Sequence, residues 1–230
     1  MIDIHSHVIF DVDDGACDIG QSIKIIEEMI SVGVTDLICT PHYRLKMFET
    51  DYEKIKTNFN ALCDKVLELN LNINLYLGRE VYFNKSIYNN LELFTMNNNK
   101  IILIEFSYTI NPDVEEVLYN LKRLGYIVII AHVERYVFLS FDDIVNLKSK
   151  NVYIQINAST IVGRGGRKEK KRALKLIKAG VVDFIASDIH YNRTNYLNQA
   201  YNIIYKKFGQ EISDRLFNEN AKFIINKQEE

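Results

Sequence analysis

Residues 1–16 read MIDIHSHVIFDVDDGA. A short apolar run, Met1–Ile4, leads straight into His5 and His7, and Asp14 follows in the next loop. The same order recurs along the chain: a brief apolar run, then an imidazole or a carboxylate, then a helical pattern. The strand-like runs are Met1–Ile4, Thr35–Cys39, Ile73–Leu77, Ile101–Phe106, Tyr126–Ala131, Val152–Ile156 and Val182–Ala186. Most are apolar throughout rather than alternating, which predicts parallel strands buried on both faces. One intervening helix is expected from Asp18, with Gln21 as capping partner; Ile19, Ile23, Ile26, Met29 and Ile30 share one face, and Gly33 stops it. A second is expected from Thr50, with Glu53 in the same relation. Others are expected near Lys85–Phe94, Pro112–Leu124, Phe141–Ser149, Lys168–Ala179 and Asn195–Phe208. Alternation of this kind implies an α/β fold, a parallel sheet with right-handed crossovers in one domain spanning 1–230.

Composition excludes several classes. The 230 residues are 47% apolar and 25% charged, enough for one domain with its own core. A net charge of −2 gives no reason to expect nucleic acid or an anionic membrane as partner. Neither phosphate-cradling glycine motif, G-x-G-x-x-G or G-x-x-x-x-G-K-[ST], occurs. Cys17, Cys39 and Cys63 are too few and too scattered for a disulfide framework, so reduced thiols and a cytoplasmic location are expected. No signal-peptide pattern and no run of about 18 apolar residues is present, so no membrane insertion is expected. A homo-oligomer is compatible with this composition.

The five histidines decide the functional reading. His5 and His7 follow the first strand, His42 the second, His132 the fifth and His190 the seventh. Glu80, Glu105 and Asp188 share the pattern, at the ends of strands three, four and seven. Carboxyl ends of parallel strands are where α/β folds build sites. In an open sheet these ends form a line; in a closed barrel they form a ring and converge, so the pattern favours closure. Imidazole and carboxylate donors without thiolate suit Mn²⁺, Fe²⁺ or Zn²⁺. On an extended segment residues i and i+2 face one side, so His5 with His7, and Asp188 with His190, can share an ion. Glu105, ending the apolar run IILIE, would be costly to bury without a cation. Nine donors, four of them carboxylates, are roughly three ions' worth. With one hydroxide, three divalent ions leave the site positive and two leave it negative, so three suit an anionic substrate.

The segments MIDIHSHVIFDVDDGA, TPHY, GREVYF, LIEFS, AHVERY, QINAS and ASDIHYN occur in an order and spacing that resemble the polymerase-and-histidinol-phosphatase superfamily over nearly the whole chain. Within it, the chain most resembles the bacterial manganese-dependent tyrosine-protein phosphatases of capsular and exopolysaccharide loci. The resemblance implies a distorted (β/α)7 barrel and three divalent ions, manganese foremost. It places their ligands on His5, His7, Asp14, His42, Glu80, Glu105, His132, Asp188 and His190. His42 is expected to serve in catalysis as well as in ligation. The resemblance also implies a phosphate-binding arginine at Arg135 and a second downstream of the last histidine. Arg193 is the candidate for the second. Arg44 stands beside it as an alternative, since the position after His42, often basic in the family, is Tyr43 here with Arg44 next. The implied substrate is a phosphotyrosine protein, the tyrosine-rich tail of a bacterial autokinase.

Bound ions would acidify a water to a pKa of about 7 and supply hydroxide for in-line attack on phosphorus. Arg135 would bind the phosphoryl oxygens as a bidentate fork. The cysteines sit in no C-x5-R arrangement, which speaks against a cysteine nucleophile. Two surface segments remain open. The basic stretch Arg164–Arg172 reads either as a solvated loop and helix start or as a guide for an acidic phosphopeptide. Tyr43–Thr50 reads either as a lid or as a loop packed on the body. The rival functions are a small-molecule phosphatase, such as one for histidinol phosphate, and an amidohydrolase.

Overall fold

A computed structural model describes residues 1–150 and 152–226, and in it parallel strands curl into a ring enclosed by helices. The strands are β1 (Ile2–Ser6), β2 (Asp36–Cys39), β3 (His42–Tyr43), β4 (Asn74–Leu77), β5 (Glu80–Tyr82), β6 (Ile101–Glu105), β7 (Ile127–Ile130), β8 (Tyr153–Asn157) and β9 (Phe184–Ala186). One ladder runs β1-β2-β4 and the other β3-β5-β6-β7-β8-β9, with parallel pairing throughout. β3 resumes the line of β2 after Thr40–Pro41, and β5 that of β4 after Gly78–Arg79. Among the described residues, β3 and β5 are thus short strands beyond the seven runs expected from the sequence. Pro41 has no N–H to continue the ladder, which accounts for the first break. The ring closes between β9 and β1: the Asp188 amide donates to the His5 carbonyl, and the His7 amide to the Ile189 carbonyl, both at 2.9 Å.

The helices follow local chemistry. In α1 (Ile19–Ser31) the Asp18 carboxylate caps the Gln21 amide, as expected. In α2 (Tyr52–Glu68) the cap is Asp51, not Thr50. The Thr50 hydroxyl is engaged elsewhere, donating to the Val12 carbonyl at 2.6 Å. The helix expected over Lys85–Phe94 is instead two 3₁₀ turns, Lys85–Asn89 and Leu91–Phe94. Asn84 caps the first, and Asn90, with non-helical backbone at φ −149° and ψ 49°, separates the two, so no continuous helix can form. Then come α3 (Val114–Arg123), α4 (Phe141–Ser149), the short α5 (Ala158–Val162), α6 (Arg167–Lys178), α7 (Leu197–Phe208), α8 (Gln210–Phe217) and α9 (Lys222–Ile225).

The apolar strands divide their side chains between two cores. Ile101 and Leu103 of β6, Ile129 of β7, and Phe184 and Ala186 of β9 join a smaller cluster with Ile4, Ile38 and Ile224. Their neighbours Ile102, Ile104, Val128, Ile130 and Ile185 join the larger cluster, which includes Ile26, Leu62, Leu118, Leu176 and Ile204 of the helices. Period-two alternation therefore persists inside runs that look uniformly apolar. It carries Glu105 onto the face of Ile101 and Leu103. In a closed parallel ring that alternation sets which side chains meet at the carboxyl-end mouth.

Candidate metal centre

All nine donors singled out in the sequence gather at this mouth. His5 Nε2 and His7 Nε2 lie 3.2 Å apart. Glu80 Oε2 is 3.1 Å from the first and 3.4 Å from the second. Asp188 Oδ1 is 3.7 and 3.5 Å from the same two atoms. Donors bound at about 2.1 Å to one ion sit roughly 3.0–3.4 Å from one another. The spacing of His5, His7 and Glu80 therefore fits shared coordination, with Asp188 close by. His7, Asp14, His42 and His190 form a second group, in which Asp14 Oδ1 is 3.3 Å from His190 Nε2 and 3.6 Å from His42 Nε2. His42, Glu80 and Glu105 form a third. His132 Nε2 stands at its edge, 2.8 Å from Glu80 Oε1 and 3.8 Å from Glu105 Oε1. The groups overlap at His7, His42 and Glu80, as carboxylate bridging or closely spaced ions would require.

The imidazoles are oriented from behind. His5 Nδ1–H donates to Gln155 Oε1 at 3.3 Å, His7 Nδ1–H to Asp13 Oδ2 at 2.7 Å, and His190 Nδ1–H to the Asp188 carbonyl at 3.1 Å. In each case this tautomer leaves the Nε2 lone pair facing the cluster, the arrangement a metal ligand needs. His132 and Asp188 adopt left-handed backbone, with φ of 33° and 52°. Non-glycine residues pay for that conformation, and it concentrates at functional sites. The extended segment expected across Asp188–His190 is therefore absent; the turn at Asp188 aims both side chains into the mouth instead. Glu80, expected at the end of a strand, opens β5 just beyond the break.

Charge in the cluster is finely divided. Burial would raise the Glu80 carboxyl, but His5 and His42 outweigh it and hold Glu80 well below the usual carboxylate range. His5 and His7 do the same for Asp188. Burial opposes a proton on His7, yet Asp13 lifts that imidazole well above its ordinary value. Glu105 is pushed up by burial and by Glu80, and its Oε1 accepts the Tyr108 hydroxyl at 2.9 Å. His190 is pushed down, first by burial and then by His7. A buried set of carboxylates and imidazoles like this demands positive charge, whether as protons or as cations. Glu80 Oε2 and His42 Nδ1 lie 2.9 Å apart, and His132 Nδ1 is buried without a hydrogen-bond partner.

The candidate arginines frame the opening. Arg135 Nη1 lies 3.4 Å from Asp188 Oδ2 and 3.4 Å from the Tyr108 hydroxyl. Arg193 is 54% exposed, with Nη2 3.8 Å from Asp14 Oδ2. The Arg44 guanidinium stacks 4.2 Å from the centre of the Tyr82 ring. All three line one cavity of about 280 Å³ over the donor cluster. In the Tyr43–Thr50 loop, Phe48 lies against the His42 ring, centroids 5.1 Å apart and planes at 11°, whereas Met47 is largely exposed.

Several site residues escaped the sequence reading. Asp13, not Asp14, is the buried acid of the DVDDGA loop. It accepts from His7, from the His42 amide at 2.9 Å and from the Gly15 amide at 3.0 Å. Gln155 also accepts from the His132 amide at 2.9 Å and donates to Asn157, which donates to Asp188 Oδ2 at 2.6 Å. Glu134 is buried and accepts from the Asn157 amide. The QINAS segment carried a usable signal, since amide side chains recur at alternate positions of an otherwise apolar strand.

The family described as "Capsular polysaccharide synthesis, CpsB/CapC" matches residues 1–226. The chain is 36% identical to the tyrosine-protein phosphatase CpsB of Streptococcus agalactiae over 98% of both proteins. It is 35% identical to the putative tyrosine-protein phosphatase CapC of Staphylococcus aureus, over 98% of this chain and 91% of that one. Among solved structures it resembles one from a study of YwqE from Bacillus subtilis and CpsB from Streptococcus pneumoniae, described as metal-dependent tyrosine phosphatases. There the TM-score is 0.89 at 29% identity, covering 98% of this chain and 94% of that one.

Proposed function

The chain belongs to the CpsB/CapC capsular polysaccharide synthesis family, and on that premise we propose that it is a metal-dependent protein-tyrosine phosphatase. The observation that carries this reading is the convergence of nine imidazole and carboxylate donors beneath a cavity rimmed by Arg135, Arg44 and Arg193. His5, His7, Asp14, His42, Glu80, Glu105, His132, Asp188 and His190 would hold the divalent ions. Three overlapping donor groups support three ions, and an all-N/O donor set supports manganese, with iron or zinc as substitutes. When bound, such ions supply Lewis acidity and a water acidified to a pKa of about 7.

The chain's own residues do the rest. Arg135, tied to Asp188 and Tyr108, presents a planar fork to the phosphoryl oxygens. Arg193 or Arg44, which line the same cavity, completes the clamp. Asp13, Gln155 and the Asp188 carbonyl hold three imidazoles in the ligating tautomer. The leaving phenolate, with a pKa near 10, needs less protonation than an alkoxide would. The substrate fitting this site is a phosphotyrosine protein in the cytoplasm, the tail of a bacterial tyrosine autokinase controlling capsule or exopolysaccharide synthesis.

A substrate panel tests the reading. Manganese-loaded protein should release phosphate from a phosphotyrosine peptide with kcat/KM well above that for histidinol phosphate, and should leave simple amides intact. Preference for histidinol phosphate would replace the reading with that of a small-molecule phosphatase, and amide hydrolysis with that of an amidohydrolase.

A further inference from the structure

A second cavity, of about 700 Å³, opens beside the first, and Tyr108, Arg135, Asp188 and Arg193 line both. Its outer wall comes from the β8–α6 connection and the loop after β9, with Ser159, Thr160, Arg164, Thr194 and Tyr196 presenting polar groups. We propose that this chamber is an anion subsite that takes an acidic side chain, glutamate or aspartate, of the polypeptide carrying the phosphotyrosine. The proposal rests on the tyrosine-phosphatase reading and names what that site prefers beyond the phosphate itself.

Arg164 is the key residue. Its Nε donates to the Tyr196 hydroxyl at 2.5 Å and its guanidinium lies 5.2 Å from the centre of that ring, which holds the head in place. Among the described residues it forms no ion pair with a carboxylate, and its terminal N–H groups stay available. Arg135 and Arg193 differ, because Asp188 and Asp14 face them. The loop is set by its backbone. Gly163 has a φ of 109°, the Arg164 amide donates to the Ser159 carbonyl at 2.9 Å, and a Cβ at Gly165 would fall 1.9 Å from Glu169 Oε2. That carboxylate is the chamber's acid outside the metal centre, and it lies against the Gly165 backbone. The rest of the basic Arg164–Arg172 stretch is partly committed elsewhere. Arg172 donates to the Tyr136 and Leu139 carbonyls at 2.7 and 2.5 Å, and Lys170 to the Val162 carbonyl at 3.2 Å. Of the stretch's basic residues only Arg164 lines the chamber, so the guide reading narrows to it, with Arg193 at the border of the two cavities. A cavity of this volume is large enough for several side chains next to a phosphotyrosine seated on the metals.

Two phosphotyrosine peptides test this, one with glutamates flanking the phosphotyrosine and one with glutamines in their place. Wild-type protein should favour the glutamate peptide by about fivefold in kcat/KM, the scale of one well-placed, partly exposed ion pair, and the preference should shrink in high salt. In Arg164→Glu the ratio should fall to one or below, and Tyr196→Phe should give an intermediate ratio. A wild-type ratio of one, or an unchanged ratio in Arg164→Glu, overturns the subsite. Fluorescence anisotropy with the same peptides unphosphorylated separates the two claims. Arg164-dependent preference for the glutamate peptide without phosphotyrosine turnover would retain the subsite and refute the phosphatase reading. Turnover of both peptides at equal rates would do the reverse.

Discussion

Asp13→Asn is the sharpest probe of how the site is held. The Asp13 carboxylate is fully buried and receives three N–H groups, from His7 and His42 on Oδ2 and from Gly15 on Oδ1. An asparagine has one acceptor oxygen. Placed where Oδ2 was, it satisfies His7 and His42, and its NH2 then opposes the Gly15 amide. One buried donor is left unsatisfied, at about 1–3 kcal/mol of fold stability. The imidazole also loses an anionic partner and becomes a weaker ligand. Removing partners of this kind costs 10- to 100-fold in metal affinity, about 1.4–2.7 kcal/mol. The assay is calorimetric titration of manganese into chelator-stripped protein, alongside phosphotyrosine turnover across manganese concentrations. The variant should need 10- to 100-fold more manganese for half-maximal turnover and recover much of its rate at saturating metal. Affinity within threefold of wild type would refute the assignment of Asp13 to orienting His7, and with it the tautomer reasoning for the whole cluster.

Arg135→Ala should lower kcat/KM for phosphotyrosine about 10- to 100-fold, the loss of a charged hydrogen-bonding fork. Arg135→Lys should restore little of it, because an ammonium cannot bridge two oxygens in that geometry; full activity in the lysine variant would exclude a bidentate role. Gly15→Ala would place a Cβ 2.1 Å from the His7 carbonyl oxygen and 2.8 Å from its Cβ. Thermal unfolding should show a loss of about 1–3 kcal/mol, and manganese affinity should fall with it; an unperturbed melt would show that the loop gives way freely. Asp3 supplies a pH dependence. Burial pushes its carboxyl from 3.8 up to about 6, despite the Ser187 amide and hydroxyl bound to it. The folded state therefore holds this proton more tightly than the unfolded state. The resulting stabilisation is complete below pH 3.8 and is lost as pH rises through 6, about 3 kcal/mol in all. Denaturant titrations of metal-free wild type and Asp3→Asn should diverge in slope across that window, and parallel curves would contradict it.

The sequence made the candidate ligands legible because each is chemically conspicuous where it stands. His5 and His7 end a β-branched run, and Glu105 closes five residues that otherwise seek the core. Adjacent acids were harder. Asp13 and Asp14 are indistinguishable by composition, and only the turn, in which Asp11 takes a φ of 56° and its amide returns to the Ala16 carbonyl, decides which is buried. The short strands β3 and β5 were missed because the residues beyond Pro41 and Gly78, His42–Arg44 and Arg79–Glu80, are polar and do not read as apolar runs. Gln155 and Asn157 were passed over because a polar residue in a strand ordinarily marks a solvent-facing position. Here that face lines the mouth, and the amides relay hydrogen bonds between His5 and Asp188. The two 3₁₀ turns at Lys85–Phe94 were read as one helix since apolar spacing alone does not register the capping chemistry of Asn84 and the non-helical backbone of Asn90.

The central claim is that the donors at the mouth hold metal ions that make phosphotyrosine hydrolysis possible. Phosphate release from a phosphotyrosine peptide should fall to background after exhaustive chelation and return on adding manganese. Release that persists in protein shown by elemental analysis to be metal-free would contradict it.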